Sequence, residues 1–167
     1  MSNLITNNLA SVMNEVQDLQ RVETPGACLT LTRSAALAIT TAGTTITWQT
    51  ETRNNWFTWS TTDITIPTAG YYAVQTFLQT ASNVTLFTQR VINTVNIGYF
   101  GYSWTAINYH VATMIRYFAS GDVVQIRVVP SANVNINVAA DGTSSESPIL
   151  HIVQMTGSQS WLFIVYC

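Results

Sequence analysis

Two periodicities divide the chain. Over residues 1–23, Ile5, Leu9, Val12, Val16 and Leu19 recur at spacings of four, three, four and three, with Asn, Gln, Glu15 and Asp18 on the other faces. This spacing keeps the apolar side chains on one helical stripe, as along the a and d seam of a coiled coil. The stripe covers only about two heptads, fewer than the three or four that a sustained coiled coil needs. The pattern therefore predicts a short amphipathic helix or arm. Whether it pairs with copies of itself, docks on a partner or packs on its own domain stays open. Thr24, Pro25 and Gly26 end it, because proline disfavours a helical residue before it and glycine frees the turn.

From Ala27 onward the period is two. Strands are expected at 28–32, 36–40, 44–50, 56–60, 62–66, 71–80, 84–95, 105–118, 122–129, 133–138, 148–155 and 160–166. Turn residues separate them at Ala42-Gly43, Asn54-Asn55, Pro67 to Gly70, Ser82-Asn83, Ser120-Gly121, Pro130-Ser131, Asp141-Gly142 and Thr156-Gly157. In "DVVQIRVV", Val124, Ile126 and Val128 oppose Gln125 and Arg127, and in "NVNINV", Val134, Ile136 and Val138 oppose three asparagines. One face of each strand is suited to a core and the other to water. Many short strands at such spacing predict an all-β sandwich or jelly roll over 27–167, preceded by the separate segment 1–26.

Composition adds an unusual surface. Charged residues make up 8% of the 167-residue chain, against roughly 25% in an average soluble protein. Twenty-five Thr and 13 Asn replace them, and the cations are six Arg with no Lys. Threonine is β-branched and covers the outer faces of sheets without charge. Weak mutual repulsion between copies suits a protein that works in a symmetric assembly, the alternative being a β-domain kept apart by its hydrated Thr and Asn.

The formal net charge of −2 and the scatter of Arg21, Arg33, Arg53, Arg90, Arg116 and Arg127 give no basic face for nucleic acid. No apolar run is long enough for a bilayer, and the N-terminus lacks the basic and apolar regions of a cleaved signal, so no membrane role is expected and the chain reads as made in the cytoplasm. Cys28 and Cys167 imply no disulfide framework. Two reduced thiols and a single bridge tying the C-terminus to the first strand both remain open.

The stretch "ITIPTAGYYAV" (64–74), followed by "YFASGDVVQIRVV" (117–129) and "SPILHIVQM" (147–155), resembles the jelly roll shared by tumour necrosis factor and the globular heads of complement and collagen, in the versions found in bacteriophage structural proteins. The matching positions are Pro67, Gly70, Tyr71 and Tyr72, then Gly121 and Asp122, then Ser147 to Val153. The resemblance covers roughly residues 35–155 and implies a homotrimer whose protomers pack aromatic and apolar side chains along a threefold axis. Residues 1–26 are not collagen-like, and "SQSWLFIVYC" runs beyond the usual last strand. The calcium site of some relatives is not carried over, since acidic residues are too sparse.

Physically, Pro67 presets a turn, Gly70 and Gly121 can take positive φ, and Asp122 can cap local amides. His110 and His151 sit in alternating runs with no second metal ligand at a recognised spacing, so structural roles are expected and no metal or cofactor is implied. No nucleophile elbow occurs, and Asp63, Asp122 and Asp141 fall at turns or strand starts. The chain is read as a non-enzyme. "NNWFTW" gathers Trp56, Phe57 and Trp59, and "IGYFGYSW" gathers Tyr99, Phe100, Tyr102 and Trp104 around two glycines. Together with Tyr71 these aromatics suit either a trimer interface or stacking on host glycan.

The combined expectation is a phage virion protein, a trimer decorating or cementing the capsid exterior. Ile5, Leu9, Val12, Val16 and Leu19 would bind the major capsid protein. The alternative is the receptor-binding tip of a fibre or spike.

Overall fold

The computed structural model describes residues 26–103, 106–138 and 148–155. The expected helix over 1–23, the expected strand over 160–166, Trp104 and Cys167 lie outside them. The described residues form thirteen strands and no helix: β1 (Cys28–Thr32), β2 (Leu37–Ile39), β3 (Thr44–Thr45), β4 (Thr50–Asn55), β5 (Thr58–Trp59), β6 (Ile64–Thr65), β7 (Gly70–Val84), β8 (Leu86–Ile92), β9 (Val95–Tyr102), β10 (Ile107–Phe118), β11 (Val123–Pro130), β12 (Val134–Ile136) and β13 (Ile149–Gln154).

They make two antiparallel sheets. In the larger, β7 pairs with β10 on one side along most of its length. On its other side it takes β13 and then β12. β1 and β4 continue beyond β13, and β2 beyond β12, so the sheet runs β10–β7–β13–β1–β4 at one end. The smaller sheet runs β5–β6–β11–β8–β9, with β3 also on β11. Facing sheets of this kind, joined by crossing connections, form a jelly-roll sandwich.

The alternation explains the core. Leu29 and Leu31 of β1, Tyr72, Val74 and Leu78 of β7, Leu150 and Ile152 of β13, and Val124, Ile126 and Val128 of β11 meet between the sheets with Ile46 and Trp48. Phe57, Tyr72 and Phe118 pack edge to face in series, with centroids 6.0 Å apart at each step.

Several expectations are corrected. The reading of 84–95 as one strand fails because the hairpin between β8 and β9 turns at Asn93 and Thr94, whose φ values are 50° and 70°. Asn93 is held there by its side chain, which donates to Asp122 and accepts the Val123 amide. The aromatic run after it is strand, not loop. Ser82-Asn83 is not a chain reversal but part of an irregular stretch of β7, where pairing slips between Ile107 and Tyr109. The turn expected at Asn54-Asn55 falls one residue later, at Trp56. Gly121 has the positive φ foreseen for it, at 85°, whereas Gly70 is not among the positive-φ glycines and instead lies under the Gln154 carboxamide. Of the two states left open for it, reduced or bridged, Cys28 is disulfide-bonded.

Candidate self-association face and exposed aromatics

β10 contradicts simple patterning. Its more apolar set, Ile107, Tyr109, Val111, Ile115 and Tyr117, points outward, while His110, Ala112, Met114 and Arg116 point toward the other sheet. β7 adds Tyr71 and Phe77 to the same outer surface. Seven of the eleven exposed large apolar side chains among the described residues thus lie on these two strands. The register aligns them in rows: Val111, Phe77 and Ile149; Ile115, Ala73 and Val153; Tyr117 beside Tyr71. Met155 extends the last row, its amide bonded to the Tyr71 carbonyl. An exposed apolar sheet face of this size is a candidate interaction surface.

One polar row crosses the face between the apolar rows. It runs Arg53, Thr30, His151, Gln75, Thr113 across five strands. His151 Nδ1 and Thr30 Oγ1 are 3.0 Å apart, and the imidazole sits edge to face with Phe77 at 6.2 Å. Burial among these neighbours lowers its pKa and so favours the neutral ring.

Tyr71 therefore lies on the face, but the other predicted aromatics disperse. At the far edge of the sheet, Trp56 caps the turn from β4 to β5, 60% exposed and with φ 73°. Asn54 builds this turn: its Oδ1 accepts the Phe57 amide and its Nδ2 donates to the Phe57 carbonyl, both at 3.0 Å. Phe57 is a core residue. Trp59 is half-buried against the core and donates its indole N–H to Glu51, which also accepts from Asn54.

In β9, Tyr99 is exposed, whereas Phe100 packs against the core. Phe87 stacks on Tyr102 at 4.2 Å and tilts against Tyr99 at 5.0 Å, on the outside of the smaller sheet. Gly101 brings β9 onto β10, where a Cβ would stand 2.2 Å from that of Ala112. Beside this contact, Arg90 donates to the carbonyls of Ile97 and Tyr99. Burial, then Arg116, lowers its pKa.

His110, Asp122 and Asp63 bond within the fold. His110 is 6% exposed, with Nε2 3.3 Å from Thr80 Oγ1 and Nδ1 unpaired. Burial lowers its pKa, against a smaller opposing effect of the Ile107 backbone. Asp122 accepts the Ala119 amide, the capping role anticipated for it, and Asp63 accepts from Gln125 and Thr62. Among the described residues no three His, Cys, Asp or Glu gather to hold a metal ion. Ile5, Leu9, Val12, Val16, Leu19 and Trp104 lie outside the described residues.

Sequence reasoning missed Phe77, Tyr109, Val111, Ile115 and Tyr117. The signal was present in "INYHVATMIRYF", where Ala112, Met114 and Phe118 fall on the parity opposite to the other apolar residues. A strand apolar on both parities needs two covered faces.

Comparison by sequence finds no matching family model and no similar curated protein. Solved structures do match in shape. The chain is similar to murine APRIL at pH 5.0 (TM-score 0.58, 12% identity, 78% of this chain and 99% of that one). It is also similar to the Eiger TNF of S. frugiperda (TM-score 0.55, 10% identity, 81% and 96%). A third match is the globular domain of zebrafish complement 1qA (TM-score 0.54, 9% identity, 78% and 98%). At such identities the likeness concerns the fold, and the chain has the jelly-roll fold of tumour necrosis factor ligands and complement 1q globular heads.

Proposed function

We propose that the protein is a non-enzymatic, homotrimeric virion structural protein that decorates a bacteriophage capsid. The observation that carries the assembly is the outward apolar face of β7, β10 and β13. Its cover is a second copy of the chain, because the low surface charge leaves little repulsion between copies, and the edge-strand position of β10 lets one protomer reach the face of the next. The match of its fold to tumour necrosis factor and complement heads supports the jelly-roll part of this reading. The capsid role rests on the sequence: a weakly charged head preceded by an amphipathic segment, Ile5 to Leu19, that would order on the major capsid protein. The action is mechanical, adding buried area between shell subunits.

The test has two steps. The purified protein should sediment as a trimer, and Val111→Asp should yield folded monomers. It should also rebind to stripped capsids at high copy number and lose this on deletion of residues 1–23. A wild-type monomer would sink the assembly; a trimer that binds cells at tail-level copy number would sink the capsid role.

A further inference from the structure

The turn at Trp56 serves no purpose in the assembly described above. It follows β4, the edge strand of the larger sheet at the end away from β10. Two independent observations set it apart from a casually exposed side chain. A bulky non-glycine residue at φ 73° is a strained conformation, rarely kept unless the surroundings enforce it. Those surroundings are built: Asn54 clamps the chain on the far side of Trp56 with two hydrogen bonds to Phe57, Phe57 is anchored in the core, and Glu51 ties Asn54 to Trp59. The result is a residue whose backbone is held on both sides while its side chain stays 60% exposed, where hydrophobic burial alone would hide it.

We propose that Trp56 is the stacking platform of a binding site for a neutral oligosaccharide. The apolar C–H face of a pyranose packs on an indole, and its hydroxyls need planar polar partners around the ring. Asn55 and the exposed Thr58 stand one residue before and two after Trp56 along the turn, and the exposed Glu51 carboxylate can accept further hydroxyl donors. Arg53, exposed two residues from Glu51 on β4, balances its charge, so the turn offers no net cation to draw uronic or sulfated saccharides and a neutral ligand suits it. A clamped turn lowers the ordering cost of a weak ligand, and repetition in an assembly would add avidity. The site does not depend on self-association and deepens the surface role of the head.

The test uses the full chain on immobilised chitohexaose, cellohexaose, maltohexaose and mannohexaose, with heparin and polygalacturonate as acidic arms. At least one neutral oligosaccharide should bind and the acidic ones should not. Trp56→Ala should weaken that binding at least tenfold, Trp56→Tyr should retain part of it, and Trp56→Gly should lose it while melting no lower than the parent. Val111→Asp should leave the intrinsic affinity within twofold, so each reading can fail alone. No binding to any neutral member, unchanged binding by Trp56→Ala, or preference for the acidic polymers would overturn the site. A loss of oligomer mass in Trp56→Ala would also overturn it, by placing the indole in a subunit contact.

Discussion

Tyr71 and Tyr117 stand directly opposite each other on paired strands, ring edge to ring face with centroids 5.5 Å apart, and yet more than half of each is exposed. An aromatic pair of this geometry adds about 0.5–1.5 kcal/mol beyond area burial. Its remaining surface gains only when another surface covers it.

Tyr117→Ala should therefore split two quantities. Denaturation of dilute monomer should fall by about 1 kcal/mol, whereas self-association should weaken by at least about 2 kcal/mol, as at an interface hot spot. Chemical denaturation and sedimentation equilibrium read the two separately. Equal losses in both would place the pair's role inside the protomer.

Gly101→Ala should destabilise the domain by about 1–3 kcal/mol, because the new methyl meets Ala112 with no space to relax. Gly101→Ala combined with Ala112→Gly should recover most of this. Thermal melts of the three variants check it; an unaffected single variant would mean that β9 lifts freely from β10.

Both histidines have pKa values lowered by burial, so the unfolded chain binds more protons than the fold once the pH falls below its own histidine pKa, about 6.5. Stability is thus full above that value and declines as the pH drops toward the folded pKa values. His110→Gln should flatten the decline. His151→Gln should flatten it too, and should also remove an acid weakening of self-association, since His151 lies on the apolar face. Denaturation midpoints and sedimentation at pH 7.5 and 5.5 test both.

Arg33 is 5% exposed and forks between the Ala35 and Ala36 carbonyls and the Thr47 carbonyl and hydroxyl, tying the end of β1 to the segment before β4. Arg33→Met should cost about 2–3 kcal/mol, the scale of hydrogen bonds to a charged group. Arg33→Lys should not rescue it, because an ammonium cannot span that fork. Urea denaturation distinguishes the outcomes.

How far the sequence could be read depended on which neighbour decided each residue. β1, β11 and β13 were legible because their alternation answers to one buried core, with Leu29 and Leu31, Val124 to Val128, and Leu150 and Ile152 all inward. The β8–β9 hairpin was not, since its turn uses Asn93 and Thr94 in place of glycine and is held by Asp122, nearly thirty residues away. Of the candidate aromatics, Tyr71 was placed by parity. Phe57 and Phe100 were drawn into the core, and Trp56 was pushed out by a clamp that no local pattern discloses. The outer face of β10 went unread because its apolar residues fall on both parities, so the protomer's own core does not account for them.

That strand carries one more consequence. β10 is twelve residues long, ends its sheet, and contains neither proline nor lysine, so its outer backbone groups pair with no strand among the described residues. Such an edge is a template for strand addition by other chains. In the proposed assembly the contact that hides the apolar face would also shield this edge, and variants that loosen it would risk edge-to-edge aggregation as well as dissociation.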